Sequence, residues 1–207
     1  MKILVFGSTG SIGKIFVQQA LDKNHAVTAF ARNPQAISVT HSSLTVVLGD
    51  VLNRSDVEKA TPGHDAVVCM LGAGSKGRVR AEGTRNIISA MEKTGVKRLI
   101  CQSTLGAGDS RGTLNFLWKY IMFGMLLRKA YADHELQENY VMQSKLHWTI
   151  VRPSAFTDGP MTGNYKHGFA GDAKGLALKI SRADVADFLL KQLSDSTYLN
   201  KTPGQSY

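Results

Sequence analysis

The stretch that most limits what this chain can fold into lies near its start. Residues 2–14 read KILVFGSTGSIGK, in which Ile3, Leu4, Val5 and Phe6 run straight into Gly7, with Gly10 and Gly13 following at three-residue intervals. A short apolar run bounded by glycine reads as a strand covered on both faces. Beyond it Ile12, Phe16, Ala20 and Leu21 recur at helical spacing. The local prediction is strand, tight turn, helix. Similar β-rich runs recur at 26–31, 44–48, 65–70, 97–102 and 147–152. Ile87, Ile88 and Met91 mark a helix between two of them, with Gly95 as its stop. Strand–helix alternation with near-continuous apolar strands implies an α/β fold: a Rossmann-type, doubly wound parallel sheet flanked by helices.

The back half departs from simple alternation. Segment 113–145 must hold a long helix and an approach loop. Residues 153–175, PSAFTDGPMTGNYKHGFAGDAKG, are too rich in Gly, Pro, Asn and Asp for a regular helix and predict loop and short hairpin. A last helix is expected from Ser181, where SRAD resembles a capping box ahead of Val185, Phe188, Leu189 and Leu193. There is no internal repeat or low-complexity linker, so 1–207 reads as one domain.

Spacing of the form G-x-x-G-x-x-G at the first strand-to-helix turn is a phosphate seat. The first glycine permits the turn, the second admits a pyrophosphate close to backbone, and the third lets helix pack on strand. A dinucleotide site follows, held by Gly7, Thr9, Gly10, Ser11, Ile12 and Gly13. Strand two ends VTAFARNP, with Arg32 where an NAD site usually carries an acid. A guanidinium can hold a 2′-phosphate that a carboxylate would repel, so NADP(H) is the expected cofactor. Asp50 and Val51, in LGDVLN, would flank the adenine, and Leu71, Gly72 and Ala73, in CMLGAG, would run under the central ribose and phosphate. An ordinary loop accounts equally for these glycines, and a plain turn acid is the alternative for Asp50.

Gross composition excludes several classes. The 207 residues carry a net charge of +9, but the cations are spread rather than clustered, which speaks against a nucleic-acid partner. Two cysteines, Cys69 and Cys101, end apolar runs and read as buried thiols of a reducing compartment. The histidines are scattered singly, so no metal site is expected. Absence of a leader-like segment and of a span long enough for a bilayer predicts a cytoplasmic protein without a membrane partner. Monomer or weak homo-oligomer is the expected state. None of the tyrosines has a lysine four residues on; Tyr140 is five from Lys145. The tuned phenol of alcohol–ketone chemistry is therefore missing.

Several stretches together resemble a known family: VFGSTGSIG, VVLGDVLN, DAVVCMLG, AEGTRNIISAM, CQSTLG, DGPMTGNY and ISRADVADFLL. Over nearly the whole chain the sequence resembles the atypical short-chain dehydrogenase/reductase proteins that bind NAD(P)H. DGPMTGNY and the surroundings of His134 point to the biliverdin reductase B or NADPH-dependent flavin reductase branch. The resemblance implies reduction of a free flavin such as FMN or riboflavin, or of a biliverdin-type tetrapyrrole or a quinone. It also leaves open a redox sensor that binds NAD(P)H without turnover. Ser103 matches the family's serine beside the nicotinamide and is the catalytic candidate; the alternative is a hydroxyl capping its own turn. Backbone at Ala155 and Phe156 would contact the nicotinamide, and Phe156 either walls the acceptor pocket or packs in the core. Ala155 is a departure, because the family's biliverdin reductase has histidine there. His134 matches a pocket histidine, against the alternative of a surface residue. Trp118 belongs to an apolar block, 113–127, that is core, a lid over an aromatic acceptor, or an oligomer or membrane-surface contact. The acceptor pocket is expected from loops at about 72–80, 103–120 and 153–175.

Overall fold

The computed structural model describes residues 1–72, 78–113, 127–169 and 173–207. The first strand, β1 (Lys2–Phe6), turns through the glycines into α1 (Ser11–Asp22). There follow β2 (Ala26–Ala31), β3 (Leu44–Leu48), α2 (Arg54–Ala60), β4 (Ala66–Cys69), α3 (Val79–Thr94) and β5 (Arg98–Gln102). Then come α4 (Arg128–Gln143), β6 (His147–Pro153), β7 (Ala155–Thr157), β8 (Lys166–His167), β9 (Lys179–Ser181), α5 (Arg182–Lys191) and β10 (Gly204–Ser206). The main sheet runs β3-β2-β1-β4-β5-β6-β10-β8, parallel except where β8 pairs antiparallel with β10. This is the doubly wound sheet of a Rossmann-type domain.

Strand period explains the two cores. In β1, Ile3 and Val5 face one way with Phe16 and Val17 of α1 and Val185 and Leu189 of α5. Leu4 and Phe6 face the other way, with Ile87 and Met91 of α3 and Val141 of α4. Burial on both faces is why β1 and β4 read as unbroken apolar runs. At the sheet edge β3 is less covered, and Leu48 remains 70% exposed. Cys69 and Cys101 stand opposite one another in β4 and β5, both free and buried.

Helix ends follow local chemistry. Gly95 stops α3 in the left-handed conformation, φ 78°. Ser181 caps α5 by accepting from the Asp184 backbone N–H. Among its described residues, the region 153–175 shows no hairpin pairing of its own. Its β7 instead pairs in parallel with β9, and its β8 joins β10. No helix among the described residues is long and apolar enough to cross a membrane. Nor does any group of three or more His, Cys, Asp or Glu stand together to hold a metal among them.

Candidate functional site

Because β2 and β3 lie on one side of β1 and β4 on the other, the strand order reverses between β1 and β4. A crevice at the carboxyl ends of the strands is the expected consequence. A cavity of about 340 Å³ opens there. After β1 it is lined by Gly7, Thr9, Gly10, Ser11, Ile12 and Gly13; after β2 by Arg32; after β3 by Gly49 and Val51. Met70, Leu71 and Gly72 contribute after β4, Val79 and Arg80 from the start of α3, Gln102 from the end of β5, and Phe156 from β7.

Gly7 and Gly13 are sterically required. A Cβ on Gly7, whose φ is +84°, would stand 2.2 Å from the Met70 carbonyl oxygen, and one on Gly13 would stand 2.1 Å from that of Gly7. The turn is further tied by the Gly10 N–H donating to the Gly7 carbonyl and by the buried Ser8 hydroxyl donating to the Phe30 carbonyl. Gly10 leaves α1 without a side-chain cap, and no acid occupies the first turn. The free amides and the positive end of the dipole thus face the cavity mouth, a cradle that fits a pyrophosphate. Arg32 is exposed at the other end and makes no hydrogen bond or ion pair among the described residues.

The remaining expected residues fall into place unevenly. Asp50 does not line the cavity: its carboxylate accepts from the Leu52 N–H at 3.0 Å, closing its own turn, while Gly49 and Val51 face the space. Ala73 and Trp118 lie outside the described residues, as does most of the apolar block 113–127. Ala155 is half-buried and its N–H donates to the Leu178 carbonyl, whereas the Phe156 ring is 39% exposed, with the Arg182 guanidinium 5.6 Å from its centre. Phe156 is therefore a wall rather than core.

Ser103 and His134 meet each other, but neither lines the cavity. Their Oγ and Nδ1 are 3.3 Å apart, and both residues are buried. His134 is thus not a surface residue. Burial, helped by the nearby Arg80 charge, lowers its pKa to about 3, so it is a neutral hydrogen-bonding partner at ordinary pH. Asp133, beside it, accepts from the backbone N–H groups of Arg80 and Ala81 at 3.1 Å each, capping α3 from α4. One turn on, Glu138 grips Arg152 of β6 through two hydrogen bonds of 3.0 and 2.7 Å, and Asp109 completes the ion pair. Arg80, Gln102, Asp133 and the Glu138–Arg152 pair were not legible as site residues. Their significance depends on α3 and α4 packing side by side.

The residues matched by the sequence profile of one family run from 7 to 196, and that family is described as NAD(P)H-binding. The chain belongs to the NAD(P)H-binding family. Its cofactor is accordingly a nicotinamide dinucleotide. Among curated relatives of this NAD(P)H-binding chain, the UPF0659 protein YMR090W of Saccharomyces cerevisiae is 29% identical over 93% of this chain and 87% of its own length. Other curated relatives are longer, and the chain spans 62% and 61% of two of them. Two solved structures share the fold. A short-chain dehydrogenase/reductase from Veillonella parvula, in complex with NADP, superposes with a TM-score of 0.82 at 21% identity, covering 100% of this chain and 94% of that one. ChuY of Escherichia coli O157:H7, described as an anaerobillin reductase, gives 0.83 at 24% identity over 100% and 97%.

Proposed function

We propose that the protein is an NADPH-dependent reductase of planar conjugated acceptors, with free FMN or riboflavin first and a biliverdin-type tetrapyrrole second. The observation that carries this reading is the cavity itself. Among the described residues, one end has a cation without an ion pair, Arg32, and the other an exposed aromatic wall, Phe156, with no tyrosine or lysine lining the space between them. In this reading Gly7 to Gly13 hold the pyrophosphate, Arg32 the 2′-phosphate, and Val51 the adenine edge. Leu71 and Gly72 run beside the ribose, and Ala155 and Phe156 flank the nicotinamide. Bound NADPH supplies a hydride from nicotinamide C4.

The chain's own part is orientation. Ser103 and His134 form one hydrogen-bonded unit, and the low proton affinity of His134 keeps a positive charge from arising under the nicotinamide carboxamide. Ser103 then orders the carboxamide or a water, and the proton that follows the hydride comes from solvent. Phe156 gives the acceptor a face to stack against. The similarity in fold to ChuY, an anaerobillin reductase, favours keeping a biliverdin-type acceptor in the substrate class. Two free buried thiols fit a reducing cytoplasm.

The test is NADPH oxidation followed by absorbance with a panel of FMN, riboflavin, biliverdin and a quinone. The reading expects oxidation above background with at least the flavins. NADPH uptake with no turnover on any acceptor would instead leave a dinucleotide-binding sensor.

A further inference from the structure

Among the described residues, Arg80 is the one cavity-lining cation that the cofactor reading leaves unused. It sits in the first turn of α3, and its Nη2 comes within 4.0 Å of where a Cβ on Gly72 would stand. The side chain is only 13% exposed, yet Nε and Nη1 are buried without an acceptor among the described residues. Its nearest anion, Asp133, is 3.8 Å from Nη1 and already spends both carboxylate oxygens on the α3 backbone. A forked donor set sunk beside a cavity without acceptors is a cost that an arriving oxyanion removes.

Position decides which anion. The pyrophosphate has the amides of the glycine turn, and the 2′-phosphate has Arg32 at the far side of the crevice. Arg80 lies instead against Asp133, the residue before His134 on α4, and His134 in turn meets Ser103, which puts Arg80 on the Ser103 side of the cavity, where an acceptor would meet the nicotinamide.

We infer that Arg80 takes an anionic oxygen, carboxylate or phosphate, carried by the acceptor, so that the substrate class is planar conjugated anions. This rests on the reductase reading above. A guanidinium presents two parallel N–H groups to such an oxyanion, and that selects an acid over its ester or a phosphate over the free alcohol.

The test is binding without turnover, on folded protein saturated with NADP⁺. FMN is compared with riboflavin, and biliverdin with its dimethyl ester, by fluorescence or absorbance titration. The two pairs separate phosphate from carboxylate as the preferred group. At least one anion should bind tenfold or more tightly than its neutral partner. Arg80→Gln, which can still donate to Asp133, and Arg80→Met should abolish that ratio, while Arg80→Lys retains part of it. NADP⁺ affinity should change by less than threefold in all three variants. A preference that survives Arg80→Gln overturns the inference alone. So does a tenfold loss of NADP⁺ affinity with the acceptor ratio intact, which would give Arg80 to the cofactor. If none of the four ligands binds to protein that takes up NADP⁺, the acceptor reading fails and the inference with it.

Discussion

Replacing Gly13 with alanine tests the cradle at its tightest point. The new Cβ would stand 2.1 Å from the Gly7 carbonyl oxygen and 2.9 Å from its carbon, both backbone atoms that no rotamer change can move. Ordinary contact begins near 3.4 Å, so α1 must back away from the turn by more than an ångström. Alanine gains about 1 kcal/mol of helix propensity over glycine. Overpacking against backbone costs about 3 kcal/mol or more. The net is a loss of about 2 kcal/mol, which for a chain of this size lowers Tm by about 4–8 °C. Moving the amides off the pyrophosphate should also weaken NADPH by about 100-fold. Gly10→Ala is the control, because its Cβ would lie 3.2 Å from the same oxygen and needs only a few tenths of an ångström of relief. Its Tm should stay within about 2 °C of the parent, in line with an ordinary surface change. Differential scanning calorimetry and dinucleotide titration read both. A Gly13→Ala protein with unchanged Tm and unchanged NADPH affinity would refute the reasoning.

Two further outcomes follow from the polar layer between α3, α4 and the sheet. The His134 pKa of about 3 lies below its unfolded value, so the unfolded chain takes the proton first as pH falls. The stability is whole above about pH 6.5 and is lost toward pH 3, at a slope approaching about 1.4 kcal/mol per pH unit. Urea midpoints at pH 7 and 5 should therefore differ more in the parent than in His134→Gln; equal differences would contradict this. Glu138→Gln should cost about 3 kcal/mol in urea unfolding, because it leaves the buried Arg152 with Asp109 as its remaining acid partner. NADPH affinity should stay within threefold, and a loss below about 1 kcal/mol would show that the pair is not buried as described.

The expected strand ranges 2–6, 26–31 and 44–48 coincide with β1, β2 and β3; β1 was legible because burial on both faces leaves an apolar run, and the edge strand β3 because its β-branched and apolar residues keep that pattern with less cover. Gly95 and Ser181 were legible for a local reason: a helix end is settled by one or two residues. What escaped is non-local. Gly204, Gln205 and Ser206 have no β preference, yet they form the fully buried β10 by pairing with β6 and β8. The pairing of β7 with β9 skips the Gly-rich segment between them, so no short-range turn signal announces it. In the site, the glycine turn and Arg32 could be read because spacing from a strand end fixes them. Arg80 and Asp133 are 53 residues apart and meet only because α3 and α4 pack together. His134 looked undecided for the same reason: its burial comes from Ser103 on β5's outgoing turn, which helix periodicity does not see.

The central claim is that the glycine turn after β1 seats a pyrophosphate while Arg32 takes the adenosine-side phosphate. Isothermal titration of the purified protein with NADPH and NADH, repeated on Arg32→Ala, measures it most directly. NADPH should bind at least about tenfold tighter than NADH, the scale of a charge-assisted hydrogen bond to phosphate, and the variant should bind the two alike. Equal affinity in the parent, or no heat with either dinucleotide, would contradict it.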